Sequence, residues 1–246
     1  MINLENKTIL ITGASSGIGR AAAVQCDRLG ASVVITGRNR EELDKTASLL
    51  TRKSLIIQAD LSTEASIGHF LSELPSLDGF VHCAGIINPL PVKFVKQKHI
   101  DEIFTINFSS AVLLSSGLLS LKKLNADSSV VFISSVSSAH PYTGGALYTS
   151  AKSALEAFAR GFALEASGKK IRVNTIAPAL VRTPILERSE EIYSKEEIKE
   201  IENRYPLGIG EPEDIANTIA FLLSPSARWI TGTIITMDGG LLLNNK

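Results

Sequence analysis

At 246 residues, 44% of them hydrophobic, the chain has the size of one large α/β domain or two small ones and can bury a substantial core. With 25 basic and 25 acidic residues its formal net charge is zero, which removes any electrostatic case for a nucleic-acid surface. The opening Met-Ile-Asn-Leu-Glu-Asn-Lys-Thr lacks the regions of a signal peptide, and the richest apolar run, Ala111 to Leu121, is broken by serines; a cytoplasmic protein without a membrane span is expected.

Short β-branched runs alternate with helical stretches. Thr8 to Ile11 reads as a first strand, followed by a glycine-rich turn, Gly13 to Gly19, and an alanine-rich helix, Arg20 to Leu29. Ser32 to Thr36 is a second strand, Glu41 to Leu50 a helix with a charged face, and Leu55 to Ile57 a third strand. Ser62 or Thr63 caps the next helix. Gly79 to His82 is a fourth strand, and one long helix is expected over Lys98 to Leu124. Val130 to Ile133, Ile171 to Ile176 and Thr233 to Thr236 complete seven strands, with helices at Leu147 to Ala166 and Asp214 to Leu223. This alternation predicts an α/β fold, a mostly parallel sheet with helices on both faces. No linker or repeat divides the chain, so one domain, 1–246, is expected. The irregular, charged stretch 183–206 suits a substrate lid; a solvated helical insertion is the alternative.

Cys26 and Cys83 form no disulfide framework and read as two buried thiols. The histidines, His69, His82, His99 and His140, are scattered without metal-ligand spacing, so no metal is expected. Neighbours in a strand point to opposite faces, which keeps His82 and Cys83 from sharing an ion.

The turn Thr12-Gly13-Ala14-Ser15-Ser16-Gly17-Ile18-Gly19 lies between a strand and a helix, the context that gives a glycine-rich turn meaning. Gly13 permits the turn, Gly17 lets backbone approach a pyrophosphate, and Gly19 allows close helix–strand packing. The helix N-terminus then offers N–H groups to the anion. NAD sites usually carry an acid at the end of the second strand; here Gly37 stands there and Arg38 follows. A guanidinium at that point pairs with a 2′-phosphate, so NADP(H) is expected over NAD(H); a plain surface arginine is the alternative.

Tyr148 and Lys152 are four residues apart and share one helix face. An ammonium beside a phenol favours the phenolate, which lowers the tyrosine pKa toward the range needed for proton transfer. Taken singly, the tyrosine could pack with its hydroxyl in water, the lysine could be solvated, Asn107 could bond local backbone and Ser135 could cap a turn.

Together these residues resemble the short-chain dehydrogenase/reductase family, in its branch of roughly 250 residues, over nearly the whole chain. Thr12 to Gly19 is similar to its cofactor loop, which makes Ser15, Ser16 and Ile18 cofactor positions beside the glycines. Asp60 and Leu61 resemble the acid after the third strand that holds the adenine, and Ala84-Gly85 the end of an Asn-Asn-Ala-Gly element whose asparagines are here His82 and Cys83. Asn107, Ser135, Tyr148 and Lys152 match the catalytic tetrad, Ser135 chosen among Ser134, Ser135, Ser137 and Ser138 by its distance from Tyr148. Pro178, Val181 and Thr183 resemble the segment that holds the nicotinamide carboxamide, with Ala179 where a glycine is usual. Asp238-Gly239-Gly240 is similar to the C-terminal signature.

The resemblance implies a single doubly wound Rossmann domain and an oxidoreductase that interconverts a carbonyl and a secondary alcohol. Tyr148 would be acid/base, Lys152 would bind the nicotinamide ribose and keep the tyrosine acidic, Ser135 would hold the substrate oxygen, and Asn107 would hold a proton-relay water. Pro206-Leu207-Gly208 through Asp214-Ile215-Ala216 is nearest the 3-oxoacyl-carrier-protein reductase type. Residues 183–206 carry seven glutamates against four basic residues, so carrier-protein docking is possible but not favoured by charge. A free small carbonyl compound or alcohol is the other substrate class. Relatives form tetramers, so a homotetramer or homodimer is implied. A non-catalytic dinucleotide sensor and an NAD(H)-dependent sugar or polyol dehydrogenase are the rival readings.

Overall fold

The structure, a computed structural model, describes residues 2–184, 200 and 202–243. Seven strands form one sheet in the order β3-β2-β1-β4-β5-β6-β7, and every neighbouring pair is parallel. The strands are β1 Thr8–Thr12, β2 Ser32–Gly37, β3 Leu55–Gln58, β4 Leu77–His82, β5 Leu124–Ile133, β6 Arg172–Pro178 and β7 Ile234–Met237. The expected "mostly parallel" sheet is thus parallel throughout. Helices α1 Gly17–Arg28, α2 Arg40–Ser48, α3 Glu64–Glu73, α4 Gln97–Phe104, α5 Ser110–Ser120, α6 Ala146–Ala166 and α7 Pro212–Leu223 are the described α-helices.

The central strands read as unbroken apolar runs because both faces are covered. Side chains alternate across the sheet: Leu10, Phe80 and Phe132 enter one core with Leu114, Leu118 and Leu155, while Ile9, Ile11, Val81 and Val131 enter the other with Ala22, Ala23 and Ile219. Phe132 meets Phe80 edge-on at 6.2 Å and Phe158 at 6.1 Å, which seats α6 on β5. Of the two capping candidates Thr63 is the one used, its side chain accepting from Ser66 N at 3.2 Å.

The long helix departs from expectation. It begins at Gln97, passes through a π-helical turn at Thr105–Ser109 and ends at Ser120. Lys122 then takes a left-handed conformation with φ 54°, and the chain reverses. Leu124, which extends the apolar helical pattern in sequence, instead opens β5 opposite Leu77. Strand β5 therefore starts six residues ahead of Val130, with a register shift that takes in Asp127 at φ 60°. By length and composition Gln97–Ser120 could cross a bilayer; here Ala111, Leu114 and Leu118 are sealed in the core.

Strand order reverses between β1 and β4. That crevice, at the carboxyl ends of the strands, is where a ligand of an open parallel sheet is held.

Candidate active site

The crevice is bounded on one side by the glycine turn. Gly13 has φ +64°, and a Cβ there would lie 2.8 Å from Ala84 N, so side chain is excluded on two grounds. Gly17 has φ +51° and faces Thr183, whose Cγ2 would be 3.0 Å from an added Cβ. A Cβ on Gly19 would collide with Gly13 O. Ser15 O accepts from Arg20, and Ser16 is the N-cap of α1 but makes no side-chain cap bond. With no acid in its first turn, α1 presents an uncapped N-terminus, which suits a dinucleotide's pyrophosphate. Gly85 closes the other wall: a Cβ there would be 2.9 Å from Asn107 Oδ1 and 3.4 Å from Lys152 Nζ. The cradle fits a nicotinamide dinucleotide.

The catalytic candidates converge opposite this turn. The π-helical turn brings Asn107 inward, fully buried. Its amide donates to Ile86 O at 2.9 Å and Ile103 O at 3.0 Å and accepts from Ile86 N at 3.2 Å, pinning the loop after β4 to the helix. Lys152, 4% exposed, donates to Ile133 O at 2.9 Å and lies 5.6 Å from the centre of the Tyr148 ring. Ser135 hydrogen-bonds Tyr148 and accepts from Ser137 N at 3.2 Å and Ser137 Oγ at 3.0 Å. Ser134 and Ser138 turn away, both donating to Glu156 at 2.7 Å. Geometry therefore selects Ser135 where sequence offered only spacing.

Electrostatics corrects one expectation. Lys152 does not lower the Tyr148 pKa. Burial raises it well above the ordinary phenol value, the nearby Tyr142 adds to the rise, and only the Ser135 hydrogen bond pulls it down. Lys152 itself is lowered to about 8, by desolvation, against an upward pull from Cys83 and Glu156. The ammonium spends its contact on Ile133 O, and the phenol keeps its proton.

His82 replaces an asparagine of the family pattern and is fully buried. Its Nδ1 lies 3.0 Å from Thr12 Oγ1 and its Nε2 3.4 Å from Ser110 Oγ. Ser110 donates to Ile106 O, which assigns the ring proton to Nε2 and makes Thr12 the donor to Nδ1. Thr12 Oγ1 also accepts from Ala84 N at 3.3 Å. The imidazole thus ties the glycine turn to the helix bearing Asn107. Desolvation lowers its pKa to about 3, helped by Lys152. Cys26 is buried, but Cys83, expected to be so too, is half-buried beside the crevice, its thiol raised by burial to about 12.

The remaining cofactor candidates stand at or beyond the carboxyl ends of β2, β3 and β6 and in the first turn of α1. Arg38 is exposed at the end of β2, its carbonyl accepting from Gln58 Nε2 at 2.7 Å. Asp60 is exposed and accepts from Ser62 N at 3.0 Å, while Leu61 is buried. Pro178 ends β6, Val181 bridges to Gly210, and Thr183 donates to Val181 O at 3.3 Å. Ile18 sits half-buried in the first turn of α1. A cleft of about 410 Å³ between α1 and α7, lined by Ser16, Gly17, Arg20 and Arg182 among others, includes neither Tyr148 nor Lys152 in its walls. The expected lid, 183–206, lies mostly outside the described residues.

The sequence pattern pointed to neither Glu156 nor Tyr142, and it marked His82 only as a departure from the family element. Glu156 left a signal: Tyr148, Lys152 and Glu156 recur every four residues on one helix.

A family model described as enoyl-(acyl carrier protein) reductase matches residues 13–242. A 3-oxoacyl-[acyl-carrier-protein] reductase of Rickettsia felis is 32% identical, covering 99% of this chain and 100% of its own length. A 7alpha-hydroxysteroid dehydrogenase of Bacteroides fragilis is 31% identical over 100% of this chain and 98% of its own. The solved structure of a short-chain type dehydrogenase/reductase from Mycobacterium ulcerans superposes with a TM-score of 0.88 at 29% identity, covering 98% of this chain and 92% of that one.

Proposed function

The chain belongs to the short-chain dehydrogenase/reductase family of oxidoreductases acting on CH–OH and carbonyl groups, and on that premise we propose an NADP(H)-dependent carbonyl reductase with Tyr148 as its proton donor. The observation that carries this reading is the Ser135–Tyr148 hydrogen bond with the Lys152 ammonium 5.6 Å from the same ring. When bound, the nicotinamide dinucleotide supplies the hydride. Ser135 holds the substrate oxygen by its hydroxyl. Tyr148, kept protonated by burial, gives its proton to that oxygen as negative charge develops there. Lys152 holds ribose hydroxyls, and Asn107, whose Oδ1 accepts from Ile86 N, holds a water that relays protons toward Lys152.

Arg38, with Gly37 where an acid would repel a phosphate, supports NADP(H) over NAD(H). A small carbonyl compound or a carrier-bound 3-oxoacyl thioester is the substrate class. The relatives include both an acyl-carrier-protein reductase and a hydroxysteroid dehydrogenase. A cytoplasmic homotetramer or homodimer is the form the family resemblance implies.

The test is NADPH oxidation against β-ketoacyl thioesters, diketones, quinones and keto-sugars. Tyr148→Phe is expected to lower turnover by about 10²- to 10⁴-fold with NADPH affinity unchanged. A Phe variant that turns over like wild type removes Tyr148 from the chemistry. Arg38→Asp is expected to weaken NADPH by roughly tenfold or more and spare NADH; equal loss of both removes the preference.

A further inference from the structure

Glu156 is 8% exposed on α6, one turn beyond Lys152 and two beyond Tyr148. A buried carboxylate must be held by donors or a nearby cation. Here it has both. Its Oε1 accepts from Ser134 Oγ and from Ser138 Oγ, each at 2.7 Å. These two serines are the ends of the turn that carries Ser135, so a single oxygen grips the turn at both sides. A further tie runs from Ser153 Oγ on α6 to Ser138 O at 2.8 Å. Between the grips, the Ser135 hydroxyl is left to meet Tyr148.

The second partner is Lys152. The titratable groups acting on it come from two elements: His82 and Cys83 at the end of β4, and Glu156 on α6, with the Tyr148 ring alongside. His82 is neutral at physiological pH, and the Cys83 thiol is pushed up to about 12. Glu156 is the carboxylate of this group. An amide would serve for gripping the serines; a carboxylate also supplies countercharge.

We propose that Glu156 is a positioning residue for this site, clamping the Ser135 turn onto α6 and standing as countercharge one helical turn from the Lys152 ammonium. It touches neither substrate nor cofactor and acts through Ser135 and Lys152. The clamp needs only an acceptor oxygen, whereas the countercharge needs the carboxylate, so two substitutions separate the roles. The proposal rests on the oxidoreductase reading for its kinetic consequence but not for its electrostatic one.

The experiment titrates Lys152 by NMR in lysine-labelled full-length protein, assigned by its loss in Lys152→Arg. Glu156→Gln keeps the acceptor and is expected to move the Lys152 midpoint down by about one pH unit, with the alkaline limb of kcat/KM moving the same way. Its kcat below that limb stays near wild type. Glu156→Ala also loses the clamp and is expected to lower kcat about tenfold or more with NADPH affinity unchanged. A folded Gln variant with an unmoved Lys152 midpoint overturns the countercharge role. A folded Ala variant with wild-type kcat overturns the clamp. If wild type reduces no carbonyl compound, the functional reading falls, while the titration, which needs no substrate, still decides the link between Glu156 and Lys152.

Discussion

The turn around Gly13 is made of backbone with side chains cleared away, whereas the face around Lys152 is made of polar side chains sealed from water. At the turn, Gly13 and Gly17 take positive φ, Gly19 abuts Gly13, and the cap of α1 leaves its N-terminus open. Across the crevice, Asn107 and His82 are fully buried, and Lys152 and Glu156 nearly so. The contrast teaches that one fold meets a ligand by two economies. Backbone N–H groups bind an anion without burying any charge. A buried ammonium must be offset by Ile133 O and a neighbouring carboxylate, and even then its pKa falls.

The largest effect is expected where backbone has no room. Gly13→Ala adds a Cβ 2.8 Å from Ala84 N at a left-handed residue, and a loss of about 2–4 kcal/mol is expected, with NADPH binding falling alongside. Urea unfolding and a binding titration check it. An unaffected variant would erase the distinction between the two regions, because the turn would then tolerate side chain as freely as the opposite face does.

A substitution on the polar face should do the reverse. The Lys152 pKa falls from 10.5 to about 8, so between these values the unfolded chain holds a proton that the folded one releases. Stability from this group therefore rises with pH across that window, and the burial cost is fully present below it. Lys152→Met removes that cost and loses one hydrogen bond; a net gain on the order of 1–2 kcal/mol is expected at pH 7, fading toward pH 10.5, while turnover is lost. Urea midpoints at the two pH values test it. A variant less stable at pH 7 would mean the ammonium is well paid by its partners.

His82 gives the smallest and most local effect. Its pKa falls from 6.5 to about 3, so its contribution is present above 6.5 and is lost as pH drops toward 3. His82→Asn is expected to cost about 1 kcal/mol at pH 7 and to flatten the acid limb of melting temperature between pH 6.5 and 4. An acid limb as steep as wild type would show that other groups set it.

The glycine turn was legible because its requirement is local. Gly13 and Gly17 allow positive φ and Gly19 allows close approach wherever the chain goes, and their place between strand and helix supplied the rest. The Tyr148–Lys152 pair was legible by helical spacing, but its electrostatics was not. Sequence placed a cation near a phenol; only the packing showed that burial raises the phenol and that Ile133 O takes the ammonium. The end of the long helix was misread for a similar reason. Leu121 and Leu124 continue an apolar pattern, and pairing of Leu124 with Leu77 is a long-range event that local periodicity does not contain.

The sequence by itself determined the strand–helix alternation, a mostly parallel sheet and the glycine turn between strand and helix, and its family resemblance pointed to Tyr148, Lys152, Ser135 and Asn107. The first three follow from backbone allowances and from spacings of a few residues. Tertiary structure alone decided which serine faces the tyrosine, that His82 joins the turn to the Asn107 helix, and that Glu156 grips both sides of the serine turn. Those contacts join residues up to 70 positions apart in sequence. Whether such groups are neutral, charged or shifted depends on how much water the surrounding chain removes, and that is set only when the core closes.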